Sequence, residues 1–95
     1  MCKKKNIYKS ASLLKSVGHP IRIQIIRLLD DYKELTVTEL SNYLSIDQPI
    51  MSLHLGVLRK HAVIMVRKKG KQSLYSISDT SVKQVVNIIY NTRNF

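Results

Sequence analysis

The chain has 95 residues, 44% of them hydrophobic, and its 16 Lys and Arg against 6 Asp and Glu give a formal charge of +10. That length folds as one small domain, with no room for a second core or for a buried active-site cleft of ordinary depth, and an obligate dimer would ease the shortage of buried surface. No apolar run reaches the roughly 18 residues of a membrane-spanning helix, so a soluble chain is expected. The positive field favours polyanionic partners, nucleic acid first. An anionic membrane surface is the competitor, but it calls for a strongly amphipathic helix with Lys or Arg lining its polar face, a pattern no helical segment here carries. The lone cysteine, Cys2, cannot form an intramolecular disulfide, and no apolar segment follows the N-terminal lysines, so residence in a reducing cytoplasm is expected.

Residues 1–5, MCKKK, are basic and unpatterned and read as a flexible arm ahead of one folded unit spanning 6–95. Ile7, Ala11 and Leu14 recur at helical spacing up to Gly18, which predicts a first helix over 6–17. Pro20 suits the first turn of a second helix over about 20–32, with Ile21, Ile25, Leu28 and Leu29 in its apolar stripe and Ile23 and Ile26 widening it. His19, ahead of Pro20, reads as a cap or structural residue. In ELTVTEL, residues 34–40, the β-branched run suggests a strand. Thr36 followed three residues later by Glu39 is instead a capping box, which makes the run the start of a short third helix over 37–44.

Asp47 is placed to cap the next helix, over 48–60, with Pro49 in its first turn. Met51, Leu55, Leu58 and Ala62 repeat as its core face. Gln48, Pro49, Ser52, Leu53, Gly56, Arg59 and Lys60 fan over the opposite face without an acid among them. His61, after Arg59 and Lys60, reads as a helix-end residue complementing the dipole. A Val/Ile/Met run, the turn KGK and a Leu/Tyr/Ile run then predict a β-hairpin with its tip near Gly70, carrying Arg67, Lys68, Lys69 and Lys71. Asp79 caps a final helix striped by Val82, Val85, Val86 and Ile89. The fold class is mainly α with a small β-hairpin, in the order ααααββα. No carboxylate pair, activated nucleophile or glycine-rich phosphate loop marks an enzyme.

The third and fourth helices have the lengths of a helix-turn-helix followed by a basic wing, in which the second helix enters the major groove. The stretches VGHPIRIQIIRLL, ELTVTELSNYLSIDQPIMSLHLGVLRKHAVI, with Ser52-x-His54-Leu55-x-x-Leu58 inside it, and RKKGKQSLYSI ending near Asp79 together resemble the ArsR/SmtB family over residues 17–79. The resemblance implies a winged helix-turn-helix repressor that is a homodimer on double-stranded operator DNA. DNA contacts are then expected from Gln48, Pro49, Met51, Ser52, Leu53, His54, Arg59, Lys60, Lys68, Lys69 and Lys71. For His54 the choice lies between a phosphate or base and a hydrogen bond to the turn. The first and last helices would form the dimer core through Ile7, Leu14, Val82, Val86 and Ile89.

The same resemblance implies two metal boxes that this sequence does not fill. Thr36 and Thr38 stand where arsenic and cadmium or lead sensors carry thiols, and hydroxyls are poor ligands for thiophilic metals. Asp79 matches the first ligand of the family's other site, but no His or acid follows it. Redox sensors of the family need a cysteine pair. No metal or cofactor is therefore expected, and the inducing signal is not named by the sequence. The alternative to an operator-specific regulator is a winged-helix module that binds an acidic protein, or nucleic acid without specificity.

Overall fold

The fold, a computed structural model, describes residues 3–93. Five helices and one hairpin follow in order: α1 (Lys3–Val17), α2 (Pro20–Tyr32), α3 (Val37–Leu44), α4 (Gln48–Lys60), β1 (Ile64–Lys69), β2 (Gln72–Ile77) and α5 (Thr80–Arg93). The order is the expected ααααββα, and α2, α3 and α4 keep the bounds read from sequence. The exception is α1, which starts at Lys3, so Lys3, Lys4 and Lys5, read as part of a flexible arm, are helical. Lysine is a good helix former and nothing in KKKNI breaks a helix. Met1 and Cys2 lie outside the described residues.

The helix ends show why the bounds are legible. His19 caps α2 through Nδ1, which accepts from the backbone N–H of Ile21 at 3.1 Å, and Pro20 follows where a missing donor costs little. The capping box of α3 is complete: the Glu39 N–H donates to Thr36 Oγ1 at 3.1 Å and the Thr36 N–H to Glu39 Oε1 at 2.8 Å. Asp79 Oδ1 accepts from the Val82 N–H at 3.1 Å and so caps α5. Asp47 differs from expectation. It occupies the cap position of α4 but makes no side-chain cap bond. Pro49, two residues on, removes one of the two N–H groups such a cap uses, and the carboxylate does not bond the other, so it keeps only its place at the positive helix end.

The core is one cluster built on Ile25, Ile26 and Leu29 of α2, Leu40 of α3, Met51, Leu55 and Leu58 of α4, and Val63 and Ile64 where the chain enters β1. Ala62, expected in this core, is exposed instead. With φ at +56° it turns the chain out of α4, and Val63 inserts where the stripe pointed. Helix α2 is not buried all round either, since Ile23 remains 36% exposed. The hairpin is antiparallel, pairing Ile64 with Ile77 and Lys69 with Gln72. Gly70, at φ +61°, occupies the first of its two turn positions, where two-residue hairpin turns favour glycine.

Leu35 exchanges backbone hydrogen bonds with Tyr75 of β2, at 3.1 and 2.8 Å. The strand character of ELTVTEL is therefore used, but for a single residue: Leu35 pairs with the wing, and Thr36 then opens α3.

Candidate nucleic-acid interface

Helices α3 and α4 are joined by Ser45, Ile46 and Asp47, with Ser45 in the left-handed region at φ +54° and its N–H turned back onto the end of α3. That tight turn fixes one helix against the other, and the core then orients α4 by burying one face. Met51, Leu55 and Leu58 are at most 1% exposed. Gln48, Pro49, Ser52, Leu53, Gly56, Arg59 and Lys60 all stand exposed on the other side, with Leu53 at 71%. Met51, expected among the DNA contacts, lies wholly in the core instead, because at about 100° per residue it falls on the same side as Leu55 and Leu58.

His54 faces α2. Arg22 donates from Nε to His54 Nδ1 at 3.1 Å and from Nη1 to the Ser16 carbonyl at 3.0 Å, while the His19 ring centroid lies 4.6 Å from that of His54. Burial, with the neighbouring His19 and Arg22 adding to it, pushes the His54 imidazole below its ordinary range. An Nδ1 that accepts puts the proton of the neutral ring on Nε2. One edge of His54 thus ties α4 to α2, and the other is a single N–H donor. His61 ends α4, its Nδ1 3.1 Å from the Val57 carbonyl and its Nε2 3.3 Å from Ser12 Oγ of α1.

On the wing, Lys68, Lys69 and Lys71 are exposed and, like Arg59 and Lys60, have no carboxylate partner among the described residues. Arg67 differs. Its Nε and Nη2 donate to Glu34 at 2.5 and 2.8 Å, a bidentate pair that holds the Glu34 carboxyl below its usual range. The stretch 59–71 contains no acid, but one supplied from 34 neutralises this cation and fastens the wing to the segment before α3. Five cations remain around the outward face of α4.

The thiol positions of the family's metal box hold hydroxyls that are already engaged. Thr36 Oγ1 caps α3, and Thr38 Oγ1 accepts from Gln48 Nε2 at 3.0 Å. Asp79 is likewise occupied as a cap.

The terminal helices carry a second surface. Ile7, Leu14 and Ile89 are 64%, 58% and 57% exposed. Val82 and Val86, expected beside them, differ: both are buried in the protomer's own core, in one cluster with Val17 of α1 and Ile26 of α2. The exposed apolar stripe of α5 is Val85, Ile88 and Ile89, and between it and α1 runs a groove of about 380 Å³ that includes Leu14 and Val17. A polar latch that periodicity does not reveal pins α5 to α2. Arg27 donates to Asn87 at 3.0 Å and Asn87 to Asp30 at 2.9 Å, Lys83 lies 3.5 Å from Asp30, and the Arg27 guanidinium sits 3.5 Å from the Tyr90 ring centre.

A tightly turned helix pair, a polar and basic outward helix face and a basic hairpin beside it define a winged helix-turn-helix DNA-binding domain. The family model for bacterial regulatory proteins of the ArsR family matches residues 19–63. The biofilm growth-associated repressor of Xylella fastidiosa is 36% identical over 80 residues, 84% of this chain and 69% of that one. Transcriptional activator HlyU of Vibrio cholerae is 36% identical over 86 residues, 90% of this chain and 79% of that one. The crystal structure of the transcriptional repressor BigR from Xylella fastidiosa superposes with a TM-score of 0.86 at 32% identity, covering 98% of this chain and 94% of that one. The chain belongs to the ArsR family of bacterial regulators. Among the described residues no helix is long and apolar enough to cross a membrane.

Proposed function

We propose that this regulator acts as a homodimeric repressor that reads operator DNA with Gln48, Ser52 and Leu53 of α4 and grips phosphates with Arg59, Lys60, Lys68, Lys69 and Lys71. The observation that carries the reading is the outward face of α4, exposed from Gln48 to Lys60 while its opposite side is locked into the core. Gln is suited to adenine and an exposed leucine to a thymine methyl. The cations neutralise the backbone without reading sequence. Repression then needs only occupancy, since a dimer seated over a promoter excludes polymerase. Relatives of equal identity carry both the repressor and the activator name, so repression rests on this occupancy argument.

The second copy is seated on the α1 and α5 face. Ile7, Leu14, Val85, Ile88 and Ile89 leave large apolar side chains exposed on the terminal helices, the kind of surface that marks an interaction site. Isologous pairing would bury it and place two α4 helices about one DNA turn apart, roughly 34–36 Å, on an inverted repeat.

Fluorescence anisotropy on the DNA upstream of the protein's own gene tests this reading. Gln48→Ala should abolish preference at one base pair, worth about 1–3 kcal/mol, while Lys69→Ala should weaken binding to every sequence alike. If Gln48→Ala changes nothing and Lys69→Ala alone matters, the chain is a non-specific or protein-binding module instead.

A further inference from the structure

Thr38 lies on the outward side of α3 and Gln48 is the first residue of α4. Their side chains meet through the 3.0 Å hydrogen bond from Gln48 Nε2 to Thr38 Oγ1, and both residues are exposed. Resting on the DNA-reading role above, we propose that Thr38 is a positioning residue for specificity: its hydroxyl holds the N–H end of the Gln48 amide against α3, the order seen in the structure, and so presets Gln48 for adenine.

The argument is one of donor and acceptor order. A primary amide has two N–H donors on one end and an acceptor oxygen on the other. A free Gln48 could turn its amide over and offer the two in either order, or present both hydrogens to a guanine edge. The Thr38 hydroxyl can donate or accept, and in the order observed it accepts: one N–H is spent on Thr38, and what remains for DNA is one N–H beside Oε1. Adenine shows an acceptor, N7, beside a donor, the N6 amino group, and matches it. Guanine shows two acceptors, N7 and O6, and would leave Oε1 against an acceptor with no hydrogen between them. An unsatisfied polar atom in a desolvated interface is costly, so holding this order biases an adaptable side chain towards adenine. Ordering the long side chain before DNA arrives also removes rotamer freedom that would otherwise be lost on binding.

The surrounding structure makes Thr38 a rigid support. The capping box of Thr36 and Glu39 fixes the first turn of α3, and the turn through Ser45 sets α3 against α4. The same segment holds the wing, through the Glu34–Arg67 pair and the Leu35–Tyr75 bridge. A stretch of six residues therefore positions both parts of the candidate DNA interface.

The test uses the full chain and a set of operator duplexes varied one base pair at a time, with Gln48→Ala, Thr38→Val, which keeps the shape and loses the hydroxyl, and Thr38→Ser, which restores it. Gln48→Ala identifies the base pair that Gln48 reads. Thr38→Val should lower the preference for adenine at that pair about fivefold. It should leave the preferences at other positions and the salt dependence as they were. Thr38→Ser should recover the loss, and Thr38→Val should add nothing in the Gln48→Ala background. Full retention of the adenine preference in Thr38→Val, or no positional effect of Gln48→Ala, would overturn the assignment while leaving DNA binding intact. Equal binding of the wild-type chain to every duplex would instead remove the DNA-reading role on which it rests.

Discussion

Met51 and Leu53 are two residues apart on α4 and of similar size, yet one is fully buried and the other 71% exposed, so truncating each separates folding from recognition. Met51→Ala removes three heavy atoms from a core shared with Ile25, Leu40 and Leu55, a change that costs about 2–5 kcal/mol with its cavity. A domain of this length is held by roughly 5–14 kcal/mol, so the variant loses a large share of its stability. At about 4–8 °C of Tm per kcal/mol for this size, the melting point should fall by roughly 8–40 °C. Leu53→Ala leaves no cavity and should shift stability by less than about 0.5 kcal/mol. On DNA the order reverses. Leu53→Ala should lose preference at one base pair, whereas Met51→Ala, assayed well below its melting point, should keep the wild-type sequence preference. Thermal melts at one protein concentration and anisotropy on the same preparations give both readouts. A Met51→Ala variant that melts like the wild type and prefers a different sequence would refute the placement of α4.

The remaining expectations concern the cap, the histidine and the dimer face. Thr36→Ala deletes the acceptor for the Glu39 N–H and should cost about 1 kcal/mol, seen as a Tm lower by roughly 4–8 °C, with Thr36→Ser retaining most of the stability. Because the folded-state pKa of His54 lies below its ordinary 6.5, folded and unfolded chains are both neutral there above that pH, and below it the unfolded chain binds the extra proton. Stability should therefore decline as pH falls from about 6.5 towards the folded-state pKa. In urea melts between pH 7.5 and 5.5 the decline should be shallower in His54→Gln. Ile89→Glu adds a charge to an exposed residue of the α1 and α5 face, so it should yield a folded monomer by light scattering with sharply weakened operator binding; an unchanged dimer would place the interface elsewhere.

Local chemistry made much of this molecule legible before its structure. Pro20, the Thr36 and Glu39 box, Asp47 with Pro49, and Gly70 mark ends and turns by what they do to one or two backbone groups, and the bounds of α2, α3 and α4 follow from them. Periodicity separated the two sides of α4 but did not say what each side meets. Val82 and Val86 form a proper apolar stripe, yet α5 has two such stripes, and only packing against the rest of the domain decides which is core and which is free. The pairs that hold the candidate interface together are all non-local: Arg22 with His54, Arg67 with Glu34, and the latch of Arg27, Asp30 and Asn87. Each is an ordinary polar residue until the fold brings a partner from 30 to 60 positions away. Ala62 continues the stripe in sequence but not in the fold, because a residue of that size gives no sign that the helix has already ended and the chain has turned through positive φ.

The central claim, that an acid-free helix face reads sequence while surrounding cations hold the backbone, is tested most directly by the salt dependence of binding to specific and scrambled duplexes. Five cations per protomer permit up to about ten phosphate contacts per dimer, so the logarithm of affinity should fall with the logarithm of salt concentration with a slope approaching −9. The specific duplex should bind at least about a thousandfold more tightly than the scrambled one at physiological salt. Equal affinity for the two duplexes, or binding that salt leaves unchanged, would contradict the account.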